Sequence, residues 1–159
     1  MITMKLISKK NGGFTLIEIL IVIGIIAILA AIVIVAINPA KQFAQARNTQ
    51  REAAVNTVLN AIGQRVADNK GVFAGTFGAY TCPTIPTGPT NIGTDVGLVN
   101  LSCLTPTYIP TGIPMDPAGG TAGNTRYDVA VDAAGRYTVC ADGHAEASIP
   151  GALAYCLSR

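Results

Sequence analysis

Few side chains in this sequence can do chemistry, and their spacing limits which chemistry that is. The 159 residues hold four Cys, Cys82, Cys103, Cys140 and Cys156, and a single His, His144. A zinc site would draw on clustered Cys and His; there is no Cys-x-x-Cys and only one His, so disulfides are the stronger reading. Three pairings are open, of which Cys82 with Cys103 and Cys140 with Cys156 close the shortest loops. His144 ends the turn-like Ala141-Asp142-Gly143-His144, where an exposed loop residue is expected rather than a general base. Asp128, Asp132 and Asp142 do not match the spacing of a hand-type calcium loop. Solvated strand charges are expected there; no cofactor is expected, and a structural Ca²⁺ is the lesser alternative. With no phosphate loop, dinucleotide fingerprint or nucleophile motif, the chain is not expected to be an enzyme.

The remaining reactive group is Glu18, and its setting leads to the elements. From Ile19 to Ile37 nineteen consecutive residues are apolar or Gly, and no charge falls between Glu18 and Lys41. As a helix this run measures roughly 28 Å, close to the roughly 30 Å hydrocarbon core of a bilayer. One spanning helix is expected. Ten Ile between Ile17 and Ile37 lower helix propensity in water, but in lipid a lone segment must satisfy its own backbone bonds. A carboxylate at the edge of such a helix needs a cation, or else stays solvated at the headgroup boundary.

Asn38-Pro39 interrupts the apolar run, and a Pro inside a helix predicts a kink. Beyond it Val55, Val58, Leu59, Ile62 and Val66 keep helical spacing on one stripe, with Arg51, Glu52, Asn56, Asn60, Gln64 and Asp68 largely elsewhere. Asn69-Lys70-Gly71 is the stop, with Gly71 as a left-handed cap. One long helix from Thr15 to about Asn69 follows. From Gly71 to Arg126 there are ten Gly, seven Pro, eleven Thr and three charges, the composition of turns and extended pieces. Then Tyr127, Val129 and Val131 alternate with polar neighbours, as do Tyr137, Val139 and Ala141 after the turn Ala133-Ala134-Gly135. An antiparallel hairpin is predicted, its third strand coming from Leu98 to Leu104 or from the tail. The fold class is α+β.

The string Lys9-Lys10-Asn11-Gly12-Gly13-Phe14-Thr15-Leu16-Ile17-Glu18, running into the apolar helix, closely resembles the class III leader of type IV pilins and type II secretion pseudopilins. The resemblance covers about thirty residues. It implies that a prepilin peptidase cuts after Gly13 on the cytoplasmic side and that the new amino terminus, Phe14, is N-methylated. It also implies that Glu18 attracts the amino terminus of a neighbouring subunit and sets its register in a filament. In the family a protruding half-helix serves membrane and filament, and an amphipathic half packs under a β-sheet head. The layout is then leader 1–13, polymerisation helix 14–40, amphipathic half 41–70 and loop-rich head 71–159. Many relatives carry a helix-breaking Pro where Val35 stands; here Pro39 comes one turn later. Tyr108 to Pro117 resembles the Ile-Pro-x-Asp-Pro strap of some family members, and a disulfide pinning the tail, as Cys140 with Cys156 would, is common among them.

The function so implied is a structural subunit of a type IV pilus, serving adhesion, motility or DNA uptake. The alternatives are a type II secretion pseudopilin and a non-polymerising single-span binding protein. Its partners would be further copies of itself, the prepilin peptidase, and an inner-membrane assembly platform with its ATPase. The precursor would sit in the inner or cytoplasmic membrane with its amino terminus in the cytoplasm, and the mature subunit in an extracellular filament. Lys5, Lys9 and Lys10 before the span nearly tie with Lys41, Arg47 and Arg51 after it, so the cysteines, which suit an oxidising compartment, decide the orientation. Nucleic acid is not supported. The formal charge is +2, and removal of Lys5, Lys9 and Lys10 with the leader would leave −1.

Overall fold

A computed structural model describes residues 13–159. The leader residues Lys5, Lys9, Lys10 and Gly12 lie outside the described residues. The chain divides into two compact units, residues 1–39 and 40–159.

In the first unit, helix α1 spans Leu16–Ile37 and buries none of its residues. It ends at Asn38, which takes a left-handed conformation, φ 48°. A second helix, α2, then spans Pro39–Asp68. The expected single long helix with a kink is therefore two helices. Three local preferences coincide at the break. Asn tolerates the left-handed region, the residue before Pro avoids the right-handed helical region, and Pro suits the first helical position, where its missing N–H is not needed.

The second unit is built on α2. Its stripe of Ala54, Val55, Val58, Leu59, Ala61 and Ile62 is buried. Opposite lie Phe73, Ile85, Ile92, Leu101, Leu104, Ile109, Tyr127, Val129 and Val139. Complete burial of one Leu or Ile side chain contributes about 1.5–3 kcal/mol, so this stripe is what holds the helix to the head. After Asp68 the helix stops with Lys70 in the left-handed position, φ 57°, and Gly71 also at positive φ. The Gly71 N–H donates to the Val66 carbonyl at 2.8 Å and closes the last turn. The cap position expected for Gly71 is thus shared with Lys70.

Strands β1 (Gly75–Phe77) and β2 (Tyr80–Cys82) form a two-stranded hairpin. Strands β3 (Thr90–Asn91), β4 (Asp128–Val131), β5 (Tyr137–Ala141) and β6 (Tyr155–Ser158) form an antiparallel sheet in that order. The predicted hairpin is β4–β5, with Val129 opposite Val139 on the buried face. The tail supplies β6, and Thr90–Asn91 adds a strand on the other side. Leu98 to Leu104 is not a strand. Val99 makes one bridge to Ile92, and Ser102–Leu104 coils into a 3₁₀ turn that buries Leu104. The chain passes so closely here that a Cβ on Gly93 would lie 2.0 Å from the Gly123 carbonyl oxygen.

Cys82 is joined to Cys103 and Cys140 to Cys156. The first bond ties β2 to the 3₁₀ turn inside the core, with Cys82 2% and Cys103 6% exposed. The second links residues directly opposite on β5 and β6. The Cys82–Cys103 loop, with a sequence separation of 21, restricts the unfolded chain and should contribute about 3 kcal/mol. Replacing both cysteines by Ala is expected to lower the melting temperature by on the order of 10 °C in a thermal scan.

Candidate processing and assembly site

Gly13, Phe14 and Thr15 form an extended, exposed lead-in to α1, with Phe14 84% exposed. A Cβ on Gly13 would meet nothing within 4 Å. Among the described residues, nothing packs against the Gly13–Phe14 segment.

Thr15 is the N-cap of α1, and Glu18 completes a reciprocal capping box. The Thr15 N–H and hydroxyl donate to Glu18 Oε2 at 2.8 and 2.9 Å, and the Glu18 N–H donates to Thr15 Oγ1 at 3.2 Å. These bonds hold Glu18 one turn into the helix and close to Phe14. Both bonds to the carboxylate use Oε2, and Oε1 takes part in neither. The 22-residue helix α1, which includes Glu18, holds an 18-residue stretch of mean hydropathy 3.5 and is long and apolar enough to cross a membrane.

Residues 8–34 match the family model of the prokaryotic N-terminal methylation motif, a class III signal typical of type IV pilins and pseudopilins. The match supports a type IV pilin-like or pseudopilin precursor. The matched range contains Gly13, Phe14, Thr15 and Glu18, and it points to a structural subunit rather than an enzyme. It also implies processing by prepilin peptidase. No curated protein and no solved structure matches the chain significantly. The architecture, an apolar amino-terminal helix followed by a helix carrying small antiparallel sheets, agrees with the pilin-like α+β fold expected from the sequence.

The head holds charged residues that the helix pattern misplaces. Arg51, expected on the polar side of α2, is 1% exposed. Its Nε and Nη2 donate to the two Asp116 oxygens at 2.5 and 3.1 Å, and its Nη1 donates to Asn48 Oδ1 at 2.8 Å and Glu146 Oε1 at 2.6 Å. Arg47 grips both Glu146 oxygens at 2.6 and 2.8 Å. Asp116 belongs to the Pro-stiffened strap, so this cluster ties strap and carboxyl-terminal loop to α2. Gly143 is required for it, because a Cβ there would stand 2.9 Å from Asp116 Oδ2. The signal was present as the lone Asp of the strap. The helical stripe could not reveal that Arg51 turns inward to meet it.

His144 is half-buried. Its Nδ1 lies 2.9 Å from the Leu153 carbonyl and its Nε2 3.1 Å from Glu52 Oε1, which makes it a fastener of the 142–154 loop. Asp132 pairs with Arg136 at the β4–β5 turn. Asp128 and Asp142, expected as solvated strand charges, come together instead.

These carboxylates move in opposite directions. Hydrogen bonds from Arg47 and then Arg51 hold Glu146 down at about 2. Burial works to raise Asp116, but the Arg51 and Ala118 hydrogen bonds outweigh it and keep the group below the ordinary range. Burial, followed by the hydrogen bond and repulsion from Asp142, pushes Asp128 up to about 6. A depressed carboxylate stabilises the fold fully above its unfolded value, near 4, and loses that stabilisation as pH falls toward 2. A raised one does the reverse: it favours folding below about 4, and the contribution is lost as pH rises through about 6. Stability followed by denaturant melts should therefore peak in mildly acidic solution. Asp128→Asn should flatten the slope between about pH 4 and 6 and leave the acid loss in place.

Proposed function

We propose that this chain is a prepilin, cut after Gly13, N-methylated at Phe14 and polymerised through α1 into a type IV pilus. The observation that carries the reading is contiguity: the methylation motif runs directly into a helix with none of its 22 residues buried. An exposed surface of that length, apolar beyond Glu18, is stable in lipid or in the packed core of an assembly. Exchange of one for the other lets a single helix serve as anchor and then as filament. Before assembly the precursor sits in the cytoplasmic membrane with the disulfide-bonded head outside, and the assembly platform and its ATPase supply the work of extraction.

The motif is shared with pseudopilins, which keeps a short secretion filament as the second reading. The Thr- and Gly-rich loops and two disulfides favour a long exposed pilus. Mass spectrometry of the mature protein tests the proposal. An amino-terminal N-methyl-Phe14 is expected; an intact Met1 or Met4 start removes its main support. Electron microscopy of the sheared surface fraction, probed for this chain, should then show long filaments.

A further inference from the structure

The carboxyl-terminal end of α2 and the β1–β2 hairpin enclose a pocket of about 300 Å³, lined in part by Arg65, Asn69, Phe77, Tyr80, Thr107 and Tyr108. That volume lies at the small end of the range for ligand sites. Arg65 is 2% exposed. Its Nε donates to the Phe73 carbonyl at 3.0 Å and its Nη2 to the Gly75 carbonyl at 2.9 Å. The guanidinium also lies 5.7 Å from the Phe73 ring centre and 5.2 Å from that of Phe77. Carbonyls and ring faces orient this cation without neutralising it, and no carboxylate among the described residues forms an ion pair with it. Asp68, one turn along, accepts instead from Tyr108 Oη at 3.1 Å.

Nη1 takes part in none of these hydrogen bonds. Among the described residues Tyr127 Oη alone is a fully buried side-chain polar atom without a partner, so Nη1 is not fully buried, and Arg65 is one of the residues that line the pocket. Burial without a counter-ion is costly for an arginine, and an anion entering the pocket would relieve that cost. The other walls restrict which anion. Phe77, Tyr80 and Tyr108 offer flat apolar faces, while Asn69 Oδ1 and the Thr107 hydroxyl offer single hydrogen-bonding atoms. Asn69 already commits its Nδ2 to the Arg65 carbonyl, which leaves Oδ1 as an acceptor. A single guanidinium balances one negative charge rather than two, and Asp68 is held by Tyr108 instead of pairing with it.

We propose that this pocket binds a uronic-acid sugar, the carboxylate-bearing ring of an acidic polysaccharide. The carboxylate meets Arg65 Nη1, the C–H face of the ring lies on Tyr80 and Phe77, and hydroxyls reach Asn69 and Thr107. The site belongs wholly to the head and does not depend on how the amino-terminal helix is used.

The test is calorimetric titration of the full-length protein in detergent with trigalacturonate, and with the uncharged trigalactose as comparison. Saturable binding of the uronate is expected, with the neutral sugar about tenfold weaker or worse. Tyr80→Ala, at a partly exposed position, should weaken uronate binding about tenfold with an unchanged melting temperature. Arg65→Gln should abolish it; where that variant fails to fold, Tyr80→Ala decides. No saturable binding by the wild type, equal affinity for the neutral trisaccharide, or an unaffected Tyr80→Ala would each overturn the proposal.

Discussion

Arg51→Ala is expected to destabilise the head by roughly 3–5 kcal/mol, enough to unfold much of it, because the change strands Asp116 as a buried carboxylate. Both side chains of the pair are 2% exposed, so water cannot take the place of the lost guanidinium. The variant also removes one of the two arginines on Glu146 and the partner of Asn48 Oδ1. A urea melt monitored by circular dichroism reads the loss as a lower midpoint. The double variant Arg51→Met/Asp116→Leu separates two ideas. Where a buried pair matters mainly because half of it cannot be left behind, the double variant recovers most of the lost stability. Where the pair also fixes the strap, the double variant stays folded but its strap, residues 113–117, becomes more accessible to protease. An Arg51→Ala midpoint within error of the wild type would contradict the buried network outright.

Glu18→Ala is the second large effect, and it falls on assembly rather than on folding of the head. The substitution removes one half of the capping box at the helix start. It also removes the only acid between Thr15 and Lys41. In a filament the cut at Gly13 would place a positive amino group at each Phe14, and truncating one partner of a desolvated charge pair costs about 2 kcal/mol per subunit contact. That is about a 30-fold penalty on every addition step, so filaments should be absent or short while membrane insertion is unchanged. Glu18→Asp keeps the charge but shortens the reach, and is expected to assemble partially. Electron microscopy together with membrane fractionation reads both effects. Normal filaments from Glu18→Ala would remove the assigned role.

What was legible in the sequence was whatever depends on near neighbours. The apolar run, the Gly-Phe-Thr-x-x-Glu start and the β4–β5 hairpin each express a spacing of two to four residues, and periodicity reads such spacings directly. The cysteine pairs that close the shortest loops are the ones joined in the structure. The break at Asn38 was only half legible. Pro39 announced a disturbance, but a kinked helix and a restarted helix have the same sequence signature. The left-handed Asn38 distinguishes them.

The misplaced residues share one feature: their partners are distant in sequence. Arg51 meets Asp116 across 65 residues and Glu146 across 95. A helical stripe counts apolar residues and assigns an arginine to the outside by default, so the inward turn of Arg51 could not be seen. Asp128 and Asp142 looked like separate strand charges until the course of the chain after β5 brought them together. Strand β3 is only two residues long, too short for alternation to be visible, and the sheet supplies the context it lacks.

The sequence alone determined the apolar helix α1 and its lead-in, because a membrane-length apolar run and a capping box are specified by composition and by contacts no more than one turn apart. The tertiary structure alone decided the head's polar interior: which arginine is buried, which carboxylates are depressed or raised, and where a guanidinium faces a pocket without a counter-ion. The physical reason is that burial and charge pairing depend on which segments meet in space, and in a loop-rich head most of those meetings join residues that no local pattern connects.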